Sequence, residues 1–216
     1  EERGFSAFYQ PYAAPLLPLP ARKREEASLF RVGYFGTPHH RKDIEAIFPA
    51  LLCIDKLFRE RVQFEFIGCY PEGWSKLKKV VIHPYVHDYF AFLKRLAALN
   101  WTIGLAPLRP TPFNEAKSDS KFRDYTAAAV TGIYADLPPY RHTVHQGTNG
   151  WLAGNQPAEW VERIREALLD TKRDEKLAVA REQARRSNSP ETVAAAWRGL
   201  YEKLKSKVSA NDILSI

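Results

Sequence analysis

The sequence contains no methionine and only two cysteines, Cys53 and Cys69, in 216 residues. Two cysteines cannot build the disulfide framework of a small secreted domain, and their spacing fits no zinc-binding motif, so we expect free thiols in a reducing compartment. A translated chain begins with Met, which is normally retained before a bulky residue such as Glu1. We therefore expect this sequence to be a piece of a longer protein.

Long apolar runs and a leader sequence are missing as well. No stretch reaches the roughly 18 apolar residues of a membrane-spanning helix, and the start Glu1-Glu2-Arg3 is not that of a signal peptide. The prediction is a soluble, cytoplasmic protein. His83 and His87 flank Pro84 and so cannot share one helical face as a ligand pair, and we predict no metal site and no cofactor. No catalytic residue can be assigned from spacing alone.

The charge balance is positive, with 32 Lys and Arg against 25 Asp and Glu and a formal net charge of +7. This favours an anionic partner, which could be a nucleic acid, a membrane surface or a phosphorylated small molecule. The charges are interspersed along the chain rather than gathered in a tail. Although 12% of the residues are aromatic, no basic–aromatic motif is present, so no nucleic-acid partner is predicted.

Three regions are predicted along the chain. Residues 1–28 form a linker or surface arm, because the prolines at positions 11, 15, 18 and 20 exclude a regular helix or a central strand. Residues 29–207 form one domain. Residues 208–216 form a frayed tail.

Strands alternate with amphipathic helices through the domain. Apolar runs predict strands at 30–36, 62–67, 80–84, 101–108, 131–135 and near 150–152. Helical spacing predicts one helix that starts near Asp43 and ends at Phe58. It predicts another at 88–99, with an apolar face made of Phe90, Leu93, Leu96 and Ala97. Two more apolar stripes, expected to pack on the core, comprise Trp160, Val161, Ile164, Ala167 and Leu168, and then Val193, Trp197, Leu200, Tyr201 and Leu204.

This alternation predicts an α/β fold, a Rossmann-like parallel sheet with helices on both faces and a helical C-terminal part. Ligands of such sheets bind beyond the carboxyl ends of the strands. Gly36-Thr37 follows the first strand and residues 111–118 follow the fourth. We therefore expect these two loops side by side at one edge of the sheet, with residues 113–115 in irregular structure.

The segment 112–129 has the composition of an anion-binding site. We expect a helix to start near Ser118 or Asp119, so that its N-terminal N–H groups, together with Lys117 and Lys121 on one face, could hold a phosphate. Asp124 would lie on the same face, where a carboxylate can accept the paired hydroxyls of a ribose. The residues alone leave a second interpretation open, an exposed basic helix start whose charges contact only water.

The same segment resembles a known family. Residues 114–125, Asn-Glu-Ala-Lys-Ser-Asp-Ser-Lys-Phe-Arg-Asp-Tyr, are similar to the donor-nucleotide loop of bacterial glycosyltransferases with two Rossmann-like domains, the GT-B type, and particularly of family 4. The turn 36–43 matches the family's Gly-(Ser/Thr)-x-x-His-x-x-Asp, and residues 140–152 resemble its Tyr…Val…Gly-x-Asn-Gly passage. The resemblance runs from about residue 31 to about residue 184.

The resemblance implies that this chain is the C-terminal, donor-binding half of such an enzyme. It implies diphosphate binding by Gly36, Thr37, Lys117, Ser118 and Lys121, with Arg41 or Lys42 as further cations, and ribose or sugar binding by Asp124, Asn114 and Glu115. One departure concerns the acids: the family places the second acid eight residues after the first, whereas Asp124 follows Glu115 by nine. An Asp in place of a Glu at position 124 keeps the negative charge but shortens the reach of the carboxylate.

The resemblance also implies the reaction and its partners. It implies a metal-independent transfer, with retention in family 4, from a nucleotide-diphosphate sugar to a bacterial cell-surface polysaccharide or a related glycan. The partner is the missing N-terminal acceptor domain of the same polypeptide, against which the last helix would show part of its apolar surface. Membrane-surface association of the full-length enzyme stays open. The alternative is a non-catalytic Rossmann-like module that binds a nucleotide or a partner protein.

Overall fold

The computed structural model describes residue 13, residues 15–18 and residues 29–213, with side chains as far as residue 206. The predicted arm at 1–28 therefore lies largely outside the described residues. Of the predicted tail at 208–216, the structure describes the backbone of residues 208–213, which belong to the helix Pro190–Ile213. Within the arm, the backbone of Leu17 donates to the carbonyl of Ala127 at 3.0 Å, and its own carbonyl accepts from Arg181 at 2.6 Å. This short piece is thus hydrogen-bonded to the domain.

The described chain contains one parallel sheet of six strands in the order β3-β2-β1-β4-β5-β6. The strands are β1 Phe30–Phe35, β2 Val62–Ile67, β3 Val80–His83, β4 Ile103–Ala106, β5 Gly132–Ala135 and β6 Trp151–Ala153. All six predicted strands are present, within a few residues of their predicted ends. The order reverses between β1 and β4, as in Rossmann-like folds, and the predicted fold class is confirmed.

The helices are α1 Arg41–Ala46, α2 Phe48–Phe58, α3 Tyr89–Ala98, α4 Pro112–Glu115, α5 Ser120–Ala127, α6 Pro138–Arg141, α7 Pro157–Leu169, α8 Arg173–Ser187 and α9 Pro190–Ile213. The single helix predicted to end at Phe58 is two helices, broken at Ile47. Pro49 explains the break, because a proline has no N–H to donate and its ring clashes with the carbonyl four residues earlier.

A second correction concerns residues 113–115, which were predicted to be irregular and instead form the one-turn helix α4. Thr111 caps this turn by accepting from the N–H of Asn114 at 3.2 Å, and Pro112 occupies the first helical position. Both features are favoured at helix starts, because the hydroxyl satisfies an unpaired N–H and the proline has none to satisfy.

A buried carboxylate joins three neighbouring strands. Glu65 in β2 accepts hydrogen bonds from Trp101 Nε1 at 3.0 Å, from Gln63 at 2.8 Å and from Arg31 at 3.2 Å, and His83 Nε2 lies 2.9 Å from it. A charge in the sheet interior is tolerated only when it is paired and hydrogen-bonded in this way. The network fixes β1, β2 and β3 against the residue that leads into β4.

The two C-terminal stripes have different surroundings. In α7, Trp160, Ile164, Ala167 and Leu168 are buried, as predicted. Among the side chains of α9 up to residue 206, only Val193 is buried, whereas Trp197 is 54% and Tyr201 64% exposed. The prediction that the second stripe packs on the core of this domain is therefore wrong for Trp197, Tyr201 and Leu204. None of the helices in the described residues is long and apolar enough to cross a membrane.

Candidate functional site

The point where the strand order reverses brings the two predicted loops together. β1 pairs directly with β4, so the loop at Gly36-Thr37 and the segment that follows β4 leave the same edge of the sheet side by side. Their side chains meet there, since Lys117 Nζ lies 3.4 Å from His40 Nδ1. The predicted convergence of the two loops is confirmed.

A cleft opens at this edge and gathers four of the predicted residues. Gly36 and Thr37 lie on one side of it, and Lys121 and Asp124 of α5 on another. Its remaining lining residues are largely aromatic or apolar: Phe35, His40, Ile67, Tyr85, Val86, His87, Tyr89 and Phe92. The site therefore combines one cation and one carboxylate with an extended aromatic wall, the composition of pockets that take a partly polar small molecule.

Helix α5 is held against the sheet by Tyr125. Its hydroxyl donates to the carbonyl of Leu105 at 2.6 Å, and its ring lies where a side chain at Gly104 would be, 2.5 Å from the position of a Cβ there. Asp119 precedes the helix, as predicted, but its carboxylate accepts from Arg123 and from Thr143 instead of capping the first turn. The glycine in β4 thus allows the helix that carries Lys121 and Asp124 to lie close to the strand.

Lys121 is a buried cation. Only 8% of it is exposed, and its Nζ lies 4.8 Å from the ring centroid of Phe35 and 5.5 Å from that of Tyr34. Burial lowers the pKa of Lys121 from 10.5 to about 8, an effect that the nearby carboxylate of Asp124 opposes. An ammonium with so little water around it is well suited to binding an anion.

Asp124 has a partner that the sequence did not reveal. The hydroxyl of Tyr89, in α3, donates to Asp124 Oδ1 at 2.8 Å. Helical spacing predicted Phe90 on the packed face of this helix, but Phe90 is exposed, and Tyr89 and Phe92 line the cleft. Helical spacing identifies an apolar face without identifying what it faces, so no signal in the sequence pointed to Tyr89.

The other predicted residues do not belong to the described lining of the cleft. Lys117 precedes α5 rather than sharing its face, and its Nζ donates to Asn114 Oδ1 at 2.6 Å. Burial lowers the pKa of Lys117, while the charge of Asp43 opposes this. Asn114 is buried and Glu115 is exposed. Ser118 is half-buried. Ligand contacts by these four residues stay predictions.

Asp43 is the residue that sequence reasoning undervalued. Its carboxylate is buried and accepts from the backbone N–H of Arg109 at 3.0 Å and from Asn114 Nδ2 at 3.1 Å, with His40 Nδ1 also 3.1 Å away. Burial alone would raise the pKa of Asp43, but the hydrogen bonds with His40 and Arg109 and the charge of Lys117 lower it below its ordinary value. The carboxyl group is therefore an anion at neutral pH.

Arg41 and Lys42 are exposed, and the guanidinium of Arg41 lies 3.4 Å from Glu72. This favours the interpretation of Arg41 as a solvated surface charge. Among the described residues, no three His, Cys, Asp or Glu side chains are placed together as metal ligands.

Comparison with known proteins identifies the fold. No family model and no curated protein sequence matches the chain. Among solved structures, HepE of Anabaena in complex with UDP and glucose matches with a TM-score of 0.62 and 17% identity over 84% of this chain. Sucrose-phosphate synthase of Thermosynechococcus elongatus gives 0.63 and 16% over 84%, and the GtfA/B complex gives 0.68 and 13% over 90%.

The chain spans 49%, 47% and 39% of the length of these three proteins, respectively. At such low identity the similarity concerns the fold. The neighbours are glycosyltransferases of the GT-B type, so the fold that the sequence resemblance implied is confirmed. The described domain has the Rossmann-like fold found in about half, or less, of each of these enzymes.

Proposed function

We propose that this chain is the donor-binding domain of a glycosyltransferase that takes its sugar from a nucleoside-diphosphate sugar. The observation that carries the proposal is the placement of Lys121 and Asp124 in one cleft, at the point where the strand order of a parallel sheet reverses. A buried ammonium suits the diphosphate, and a carboxylate three residues further on suits the ribose hydroxyls. The GT-B neighbours, one of them bound to UDP, support this choice of ligand.

In this proposal the protein stabilises the leaving diphosphate. Negative charge grows on the diphosphate as the glycosidic bond breaks, and cations already in place lower the barrier because they need no reorganisation. Lys121, Lys117 and Ser118 supply side-chain donors, and the backbone at Gly36-Thr37 approaches closely because Gly36 has no side chain. The mechanism proposed is independent of a metal and retains the anomeric configuration.

The nucleoside would occupy the aromatic part of the cleft. Tyr85, His87 and Tyr89 offer flat surfaces for a base, and the Tyr89 hydroxyl orients the carboxylate of Asp124. The cleft holds about 250 Å³, slightly below the roughly 300–1,000 Å³ of most small-molecule sites. A half-site that a second domain completes would have this size.

We further propose that the complete enzyme is cytoplasmic and contains an N-terminal half that holds the acceptor, a bacterial cell-surface polysaccharide or a related glycan. Contact of the full-length enzyme with a membrane surface would bring it close to such an acceptor. The described domain leaves the aromatic and apolar side chains of α9 exposed, which supports the presence of a further packing partner.

Calorimetric titration tests the proposal. UDP, ADP, GDP and dTDP are titrated against wild type, Lys121→Met, and the control Lys176→Met. Lys176 is a half-buried lysine that pairs with Asp170 away from the cleft. We expect one diphosphate to bind wild type and the control equally, and Lys121→Met at least about tenfold more weakly, as for loss of a charged hydrogen bond. Equal binding to all three proteins would contradict the proposed site.

Two rival functions give different results in related experiments. A nucleic-acid-binding domain would bind a single-stranded oligonucleotide with an affinity that falls steeply between two salt concentrations. A non-catalytic nucleotide-binding module would bind a diphosphate, but transfer no sugar after the upstream half of the protein is restored. Transfer by the restored protein would support the enzyme.

A further inference from the structure

Asp43 is a single buried carboxylate that contacts both loops of the candidate diphosphate site. It lies in α1, just after the Gly36-Thr37 loop, and is 4% exposed. Its Oδ2 lies 3.1 Å from Nδ1 of His40, in the same loop, while its Oδ1 accepts from the Arg109 N–H and from Asn114 Nδ2, in the segment after β4. Removing this carboxylate would remove the hydrogen bonds that join α1 to Arg109 and Asn114 in the segment after β4.

The contacts of Asp43 extend to Lys117 through Asn114. The side-chain N–H₂ group of Asn114 donates to Asp43 and to the carbonyl of Arg109, at 3.1 and 2.9 Å. This orientation directs its Oδ1 to Lys117, which donates to it at 2.6 Å. The ammonium of Lys117 is thus held in place by a neutral amide, while the nearby charge of Asp43 stabilises its protonated form.

His40 is held by the same carboxylate. It lines the cleft, and its Nδ1 is directed to Asp43 and to Lys117. When the proton is on Nδ1 it is donated to Asp43, and the approach of Lys117 to 3.4 Å is then a contact between two donors and not a hydrogen bond. The bond to Asp43 fixes the plane of the ring and leaves Nε2 at the opposite edge. One carboxylate thereby orients a lysine and a histidine beside the cleft.

We propose that Asp43 is the positioning residue of the diphosphate site. It orients Lys117 through Asn114 and His40 by direct contact, so that both side chains converge on the diphosphate, without touching the donor itself. The inference rests on the proposed function. It gives Asp43 a role that follows neither from the fold nor from the prediction of Lys117 and Lys121 as diphosphate ligands. Its consequence is selective: loss of Asp43 impairs binding of the phosphates and leaves binding of the nucleoside unchanged.

The test uses Asp43→Asn, which keeps the shape and one acceptor oxygen but removes the charge. The matched control is Asp55→Asn, because Asp55 is equally buried and accepts from a backbone N–H, that of Lys78, outside the cleft. The diphosphate that binds wild type best and its parent nucleoside are titrated against each protein. We expect Asp43→Asn to bind the diphosphate about tenfold more weakly and the nucleoside normally, and the control to bind both normally.

A double-mutant cycle shows whether Asp43 acts through Lys117. Lys117→Ala should weaken diphosphate binding much less in the Asp43→Asn background than in wild type, because the ammonium is no longer held in place. If Asp43→Asn does not fold, Asn114→Ala breaks the same connection while keeping the carboxylate, and the same selective loss is expected from it.

The outcomes separate this inference from the proposed function. Equal weakening of diphosphate and nucleoside, or additive effects of Asp43→Asn and Lys117→Ala, would mean that Asp43 only supports the fold and would overturn the inference. Binding of none of the diphosphates by wild type would instead overturn the proposed function, and the inference with it.

Discussion

The buried position of Lys121 predicts that diphosphate binding weakens as the pH rises above about 8. Burial lowers the pKa of this lysine to about 8 in the free protein, so it is mostly charged near neutrality. A bound diphosphate stabilises the charged form and raises the pKa again. Binding is therefore strongest below the pKa of the free protein and decreases as the pH passes through it.

The size of the effect follows from the fraction of charged lysine. If only the charged form binds, affinity falls roughly tenfold for each pH unit above about 8, which equals about 1.4 kcal/mol per unit. Between about pH 7 and about pH 9 the total loss of affinity should be about tenfold, because Lys121 is almost fully charged at the lower pH and most of the loss occurs above its pKa. The lowered pKa of Lys117, which has the same cause, would make the decrease steeper at higher pH.

Isothermal titration calorimetry measures this loss directly. Titrations in two buffers that differ in ionisation enthalpy should also reveal proton uptake on binding near pH 8, about half a proton at that pH. The parent nucleoside controls for ionisation of the base, and Lys121→Met, which cannot titrate, should bind weakly with no pH dependence from this group. An affinity that stays constant across the range, with no proton uptake, would refute the assignment of Lys121 to the diphosphate.

Three more predictions concern single positions or the whole domain. Lys117→Ala should weaken nucleoside-diphosphate binding by about 1.5–3 kcal/mol, the usual contribution of a hydrogen bond to a charged group, and an unchanged dissociation constant would make Lys117 a surface charge. Gly104→Ala should lower the free energy of unfolding in urea by about 1–3 kcal/mol, because its Cβ would lie 2.5 Å from the Tyr125 ring; wild-type stability would show that α5 moves freely. This chain alone should transfer no sugar to any acceptor, since positioning two substrates accounts for roughly 7–11 kcal/mol of a barrier, and measurable turnover by the purified domain would contradict the half-site interpretation.

The sheet was predictable because apolar runs are short, frequent and separated by polar helix starts. β4 and β5 are buried along their whole length, and their sequences, IGLA and GIYA, contain no charged residue. The convergence of the two loops was also predictable, because it depends only on parallel strands and on where ligands bind beside them. Neither prediction required knowledge of any side-chain contact.

The contacts within the site could not be predicted in the same way. Asp43 and Asn114 are 71 residues apart, and Tyr89 and Asp124 are 35 apart. Each pair meets through the packing of separate loops and helices, which no local spacing encodes. The resemblance placed Asn114 near the sugar, whereas the structure places its amide between Asp43 and Lys117. A buried polar side chain forms hydrogen bonds with its protein neighbours, and composition alone does not show which neighbours these are.

The last helix shows a related limit of periodicity. Its apolar stripe was identified from the sequence. Such a stripe indicates which side of a helix is apolar, but it does not indicate which element covers that side. Val193 packs on the domain, while Trp197, Tyr201 and Leu204 stay exposed. Large apolar side chains grouped on one exposed face are typical of a surface that contacts another element. The same type of apolar stripe is therefore buried within the domain in α7 and exposed in α9. The sequence pattern is alike in the two helices, and only the three-dimensional structure distinguishes them.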